Sequence, residues 1–292
     1  VSATAGDVHP TSELIAFAAQ GWAFRDPVRA PARDVVLATL LRALANANSP
    51  AVEIAARDLP PPARMRAHAI GRSAATTPLN AAFLTALAAG DDDALATPIV
   101  ATACAVGESV DAAGANVLDA IIAGTEIAVR VAAALGAGHR DRGWDPRGTC
   151  GRLGAAIAAA RVLGLQREAM RNAFGIAATA AGGLSSARGT MTAAYIAAAA
   201  AADGVEAALL ARAEFTGAPQ ALEGRRGLAA LMSTSFDAGV LLAGLGETFV
   251  FTAGAGGSAP PAESPAAEAV RVAAGRIERL ASIREVIDAS LP

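Results

Sequence analysis

Several side chains in this sequence are of types that carry acid–base or anion-binding chemistry, and their spacing leaves more than one role open. The run Asp91-Asp92-Asp93 follows an apolar stretch and is either a solvated acidic turn or the source of an acid–base carboxyl group. Asp145 sits in Arg142-Gly143-Trp144-Asp145-Pro146-Arg147. A carboxylate there works as a general base if its surroundings raise its pKa, and otherwise caps or anchors a turn. His139, Arg142 and Arg147 lie around it and can bind a substrate carboxylate, arginine doing so in bidentate pairs, or they form an ordinary polar loop. Arg188, on a glycine-bearing loop, is a further anion binder. Tyr195, the one tyrosine in the chain, is either a proton donor or an amphipathic core residue.

The rest of the composition removes other chemistries. All 24 basic residues are arginine, so no lysine is present to form a Schiff base or a phosphate-loop contact. A formal charge of −3 with no basic cluster argues against nucleic-acid binding. Two cysteines, Cys104 and Cys150, cannot build a disulfide framework; they read as buried thiols of a reducing, cytoplasmic protein, with a reactive nucleophile as the alternative. Residues 1–10 lack the basic start and apolar run of a signal peptide. No uninterrupted apolar stretch reaches the ~18 residues of a membrane span: Asp119, Glu126 and Arg130 break one run, and Asp203-Gly204 ends another.

The elements that must position these groups are helical. The chain has 292 residues, 53% of them hydrophobic, and alanine dominates that share. Alanine loses no side-chain rotamer freedom in a helix and lets helices approach closely. A helix capped by Thr11-Ser12-Glu13 is expected over residues 14–19, with others over 28–47, 78–89, 98–107, 116–135, 151–163, 167–181, 192–213 and 218–223. Pro60-Pro61-Pro62 breaks the chain. Residues 248–252 form the one β-like stretch. Residues 253–264 have linker composition, and residues 266–290 read as an amphipathic helix or pair that docks on the main body.

Four ordered segments carry a family resemblance. The first is Gly114 through Arg130, with Glu126 and Arg130 one helical turn apart. The second runs from Arg142-Gly143-Trp144-Asp145 through the Gly-Ala-Ala helix to Leu163-Gly164-Leu165. The third is residues 173–184, and the fourth is residues 204–224 with Phe215-Thr216-Gly217-Ala218-Pro219. Together they resemble the MmgE/PrpD family, whose members dehydrate 2-methylcitrate, decarboxylate cis-aconitate or epimerise iminodisuccinate. The resemblance implies an all-α domain of that type, a homodimer, and proton transfer next to carboxylates with no metal or cofactor. It also implies an α/β lid, which this chain skips. The expected organisation is a helical domain over 1–252, a linker replacing the lid over 253–264, and a returning C-terminal helix over 265–292.

Residue by residue, the resemblance implies an acid–base aspartate at Asp93, with Thr97 just beyond. Thr97-Pro98 stands where the family has His-Pro. Asp145 occupies a histidine position, and Ala193 and Ile196 occupy the positions of a lysine and a histidine. Each lost acid or base costs ~10²–10⁴ in rate, so the parental reaction is not expected. Two readings follow. One is a repurposed lyase, isomerase or cyclase using Asp93, Asp145 and Tyr195, with His139, Arg142, Arg147 and Arg188 binding a carboxylate-bearing or larger biosynthetic substrate. The other is a non-catalytic dimeric binding or scaffold protein. A separate lid-like chain completing the site is a third arrangement.

Overall fold

The structure is a computed structural model that describes residues 9–62, 64–90, 94–253 and 264–292. Asp93, its two acidic neighbours and most of the expected linker lie outside the described residues.

The architecture is all-α. The long helices are α1 (Pro10–Ala19), α2 (Asp26–Ala45), α4 (Pro78–Ala89), α5 (Ala96–Ser109), α6 (Gly114–Leu135), α8 (Arg152–Val162), α9 (Arg167–Thr179), α10 (Met191–Arg212) and α13 (Pro265–Ala274). Short ones intervene: α3 (Pro50–Ala56), α7 (Ala137–Asp141), α11 (Leu228–Met232), α12 (Ala238–Leu242) and α14 (Arg284–Asp288). Among the described residues the only sheet is a hairpin of β1 (Ala67–His68) and β2 (Ala75–Thr76), with Ala67 opposite Thr76. Proline at the first turn starts several helices, where its missing N–H is no loss.

α10 is the axis of the bundle, packed against α4, α5, α8 and α9. By length and composition it is also the one described helix that by itself could cross a bilayer; here most of its residues are buried against its neighbours. Small residues set the spacing. A Cβ on Gly124 of α6 would lie 2.5 Å from the Gly154 carbonyl oxygen of α8, and one on Gly154 would lie 2.4 Å from that of Gly124. Gly204 of α10 meets Ala155 of α8 as closely, and the Thr102 hydroxyl of α5 donates to the Ala201 carbonyl at 2.8 Å.

Two local expectations are corrected. Residues 218–223 form turns, not a helix, because Thr11 at the start of α1 bonds Glu223 and Leu222 and draws this segment onto α1. The β-like stretch is a 3₁₀ turn, Val250–Ala253. The Glu126 carboxylate accepts the Val250 and Phe251 N–H groups at 3.2 and 3.1 Å, so no strand partner is needed. Beyond the undescribed stretch, the Ser264 hydroxyl caps α13 by accepting from Ala267 N–H. α13 packs on α2, and Ile277, Ile283 and Val286 are buried. Backbone bonds from Gly114 to Leu280 and from Ile283 to Ala112 tie this tail to the ends of α6 and α5.

Candidate functional site

Asp145 and Arg147 meet in a tight turn between α7 and α8. One carboxylate oxygen of Asp145 accepts the Arg147 backbone N–H at 2.9 Å and its Nε at 3.0 Å; the other accepts Nη2 at 2.7 Å. Asp145 is 3% exposed and Arg147 1%. The turn is a single π-helical turn, Arg147–Gly151, sewn to the loop after α9. Asp145 N–H donates to the Gly183 carbonyl at 3.0 Å, Gly182 N–H to Gly148 at 3.2 Å and Ser185 N–H to Gly143 at 2.9 Å. Glycine is required at the crossing, because a Cβ on Gly148 would lie 2.0 Å from the Gly182 oxygen.

Burial by itself would push the Asp145 carboxyl up. The Arg147 hydrogen bonds and charge, with a smaller contribution from Arg188, reverse this and hold it below the usual carboxylate range. A carboxylate held so acidic and accepting three donors is a weak base. Of the two roles that the sequence left open for Asp145, this geometry fits the turn anchor. Arg147, similarly, spends its Nε and one terminal nitrogen on Asp145 and is not presented for substrate binding.

His139 lies behind the same turn, 1% exposed. Its Nδ1 donates to the Met232 carbonyl at 3.1 Å, which leaves Nε2 to accept from the Thr149 hydroxyl at 2.9 Å. Burial, helped by the charge of Arg140, lowers its pKa against the opposing pull of the Met232 carbonyl and Asp145. Neutral and buried, it bridges α7, the π-helical turn and α11, the structural loop role that the sequence had also left open. Arg142 is exposed and makes no ion pair among the described residues, and Arg188 is exposed after the 3₁₀ turn Ser185–Ala187. Burial pushes the Cys104 and Cys150 thiols up to about 12, so neither is a nucleophile.

The positions of the implied lysine and histidine on α10 are closed. Ala193 is 1% exposed and Ile196 5%, and Cβ atoms on Gly148 and Gly183 would lie 2.7 and 2.8 Å from Ile196 Cγ2. Tyr195, between them, faces outward at 51% exposure. Its ring stands edge-on to Phe83 of α4, with centroids 5.8 Å apart. Tyr195 therefore shares no cavity with Asp145. It is one wall of an apolar hollow of about 350 Å³ formed with Ile54, Phe83, Leu87 and Met191. A larger hollow, about 530 Å³, lies between the end of α9 and residues 218–232, and neither is lined by Asp145.

Residues 15–241 match the family model of the MmgE/PrpD N-terminal domain. The chain belongs to the MmgE/PrpD family. No curated protein matches it. The match ends in α12, where Arg130 donates to the Leu241 carbonyl. Within this MmgE/PrpD domain the side chains that the family resemblance assigns to chemistry are thus buried, paired or replaced by apolar groups, with the acidic turn at 91–93 outside the described residues.

Several polar pairs were missed from sequence, among them the following two. Arg152 of α8 and Asp203 of α10 meet at 3.1 Å, with the arginine side chain 7% exposed. His68 Nδ1 and the buried Glu108 carboxylate meet at 2.6 Å, and Glu108 also accepts the His68 N–H. A signal for the first existed: Arg152 and Asp203 each border a run rich in alanine, and charges in such surroundings are buried only when paired.

Proposed function

We propose that this chain is a lidless MmgE/PrpD helical domain that acts as a non-catalytic, homodimeric small-molecule-binding protein. Only residues 254–263 separate the 3₁₀ turn ending at Ala253 from Ser264, too short a stretch for an α/β lid. The observation that carries the reading is the closed Asp145–Arg147 pair beside buried Ala193 and Ile196: at these three positions the groups that would shuttle protons next to a carboxylate are locked or gone. Without a lid, water also reaches any ligand on the domain surface, which weakens acid–base catalysis. The test is incubation with 2-methylcitrate, citrate and cis-aconitate in D₂O, followed by proton NMR. No dehydration, decarboxylation or deuterium uptake is expected, and turnover abolished by Asp145→Asn would overturn the reading. Light scattering checks the dimer.

A second reading, a repurposed lyase, isomerase or cyclase, is favoured by one feature. Burial, opposed by Arg152 and reinforced by Glu206, raises the carboxyl of Asp203, and a raised carboxyl beside a cation is suited to proton transfer. Deuterium uptake into a larger apolar acid, lost in Asp203→Asn, would favour it.

A further inference from the structure

The hollow between the end of α9 and residues 218–232 measures about 530 Å³, well inside the ~300–1,000 Å³ range of small-molecule sites. The family assignment gives it no role. Its walls are held by main chain. A Cβ on Gly175 of α9 would lie 2.6 Å from the Ala218 oxygen, so helix and loop touch backbone to backbone. Within the loop, Gly224 N–H donates to the Gln220 carbonyl at 2.9 Å, Leu228 N–H to Ala221 at 2.9 Å and Ala229 N–H to Leu222 at 3.0 Å. The bonds between Thr11 and both Glu223 and Leu222 fix the same loop to α1.

The lining has two characters. Leu228, Leu231 and Met232 form an apolar surface, and Leu231 is 59% exposed on it. Thr179, Gln220 and Arg226 line the same space. The Thr179 hydroxyl is spent on the Gly175 carbonyl at 3.0 Å. Gln220 gives one amide N–H to His9 Nδ1 at 3.1 Å and keeps the other. Arg226 is exposed and holds no ion pair among the described residues. Among the described residues that line the hollow it is the only charged one, so no carboxylate on the wall competes for it. An anion is disfavoured at the C-terminal end of α9, the negative pole of that helix, and is therefore set at Arg226 and not at Thr179.

We infer that this hollow binds a monocarboxylic acid with an apolar body, the body against Leu228, Leu231 and Met232 and the carboxylate on the Arg226 guanidinium. The inference rests on the binding reading above and names its ligand class. The guanidinium fork pairs with a carboxylate through charge-assisted bonds, and the Gln220 amide is a further donor. A tricarboxylate fits poorly, because it brings three charges to one cation. An alcohol of the same length keeps the apolar contacts and loses the charged ones. An amine meets Arg226 as a like charge.

The chain has four methionines, so methyl-¹³C labelling gives four resonances. Met232 reports on this hollow and Met191 on the smaller one beside Tyr195; Met→Leu substitution assigns each. Titration with octanoate is expected to shift Met232 saturably and leave Met191 in place, with octanol at least ~10-fold weaker and octylamine weaker still. Arg226→Gln, at an exposed position, is expected to bring octanoate down to the level of octanol with the circular dichroism unchanged. Arg225 is exposed beside it but does not line the hollow, and Arg225→Gln is expected to bind octanoate as the parent does. Leu231→Glu places a like charge in the hollow and is expected to weaken octanoate by a similar factor. Equal binding of octanoate and octanol, a shift at Met191 in place of Met232, equal losses in the two arginine variants, or no shift at all would each overturn the inference. Any of these leaves the absence of tricarboxylate turnover standing. Turnover of a tricarboxylate with octanoate still bound at Met232 would instead sink the non-catalytic reading and keep the site.

Discussion

Glu126 and Arg130, one turn apart on α6, hold a 2.6 Å salt bridge with side-chain exposures of 0% and 1%. Arg130 also donates to the carbonyls of Leu241, Ala243, Gly244 and Thr248, while Glu126 accepts from Val250 and Phe251. The pair is a clamp on residues 241–251, the stretch in which the family match ends. The aromatic cluster of Phe17, Trp22, Phe24 and Phe249 closes over the same segment.

Removing one member of this clamp leaves a buried charge alone, which costs about 3–5 kcal/mol. Arg130→Met and Glu126→Gln are each expected to lose stability on that scale in urea unfolding, and the double variant less than the sum. Additive losses would mean that the two side chains act independently.

Asp145 is expected to matter for folding more than for turnover. Asp145→Ala removes the ion pair and two side-chain hydrogen bonds of the Arg147 guanidinium, which is 1% exposed, and should cost about 3–5 kcal/mol. A variant as stable as the parent would show that the turn does not depend on this pair. The low carboxyl pKa also places its pH effect: the stabilisation is present above the ordinary value of 3.8 and is lost as pH falls through the lower folded value.

His139 acts in a higher window. Its folded pKa lies below the unfolded value of 6.5, so the unfolded chain takes up its proton first as pH falls. Stability is therefore expected to decline from about pH 6.5 downward until the folded pKa is passed. Replacing the ring by His139→Gln should flatten this part of the stability–pH curve relative to the parent. Parallel curves would show that the slope does not come from this ring.

The α6–α8 crossing predicts a contrast between glycines. Gly154→Ala places a methyl 2.4 Å from the Gly124 oxygen, and overpacking of that kind costs about 1–3 kcal/mol or more. Gly21→Ala meets nothing within 4 Å and should leave the melting temperature unchanged within a degree or two. Equal melting temperatures would mean that the helices can separate at no cost.

The helices were legible because their determinants are local. Alanine content, proline starts and glycine stops act within a turn or two, so residues 78–89 could be read directly, and a helix expected over 167–181 spans Arg167–Thr179. Residues 218–223 were misread because Thr11, more than two hundred positions away, decides their conformation. The 3₁₀ turn at 250–253 was missed for the same reason, its N–H groups being satisfied by Glu126.

At the candidate site, residue types and the pattern of the chain identified the family, and the resemblance implies that Ala193 and Ile196 stand where its members have a lysine and a histidine. Tertiary structure decided what the remaining groups do. Whether Asp145 is a base or an anchor depends on where the Arg147 guanidinium lies, and whether His139 binds substrate depends on the Met232 carbonyl behind it. The ionisation and reach of a side chain are set by neighbours brought in from other helices, and those neighbours have no fixed spacing along the chain.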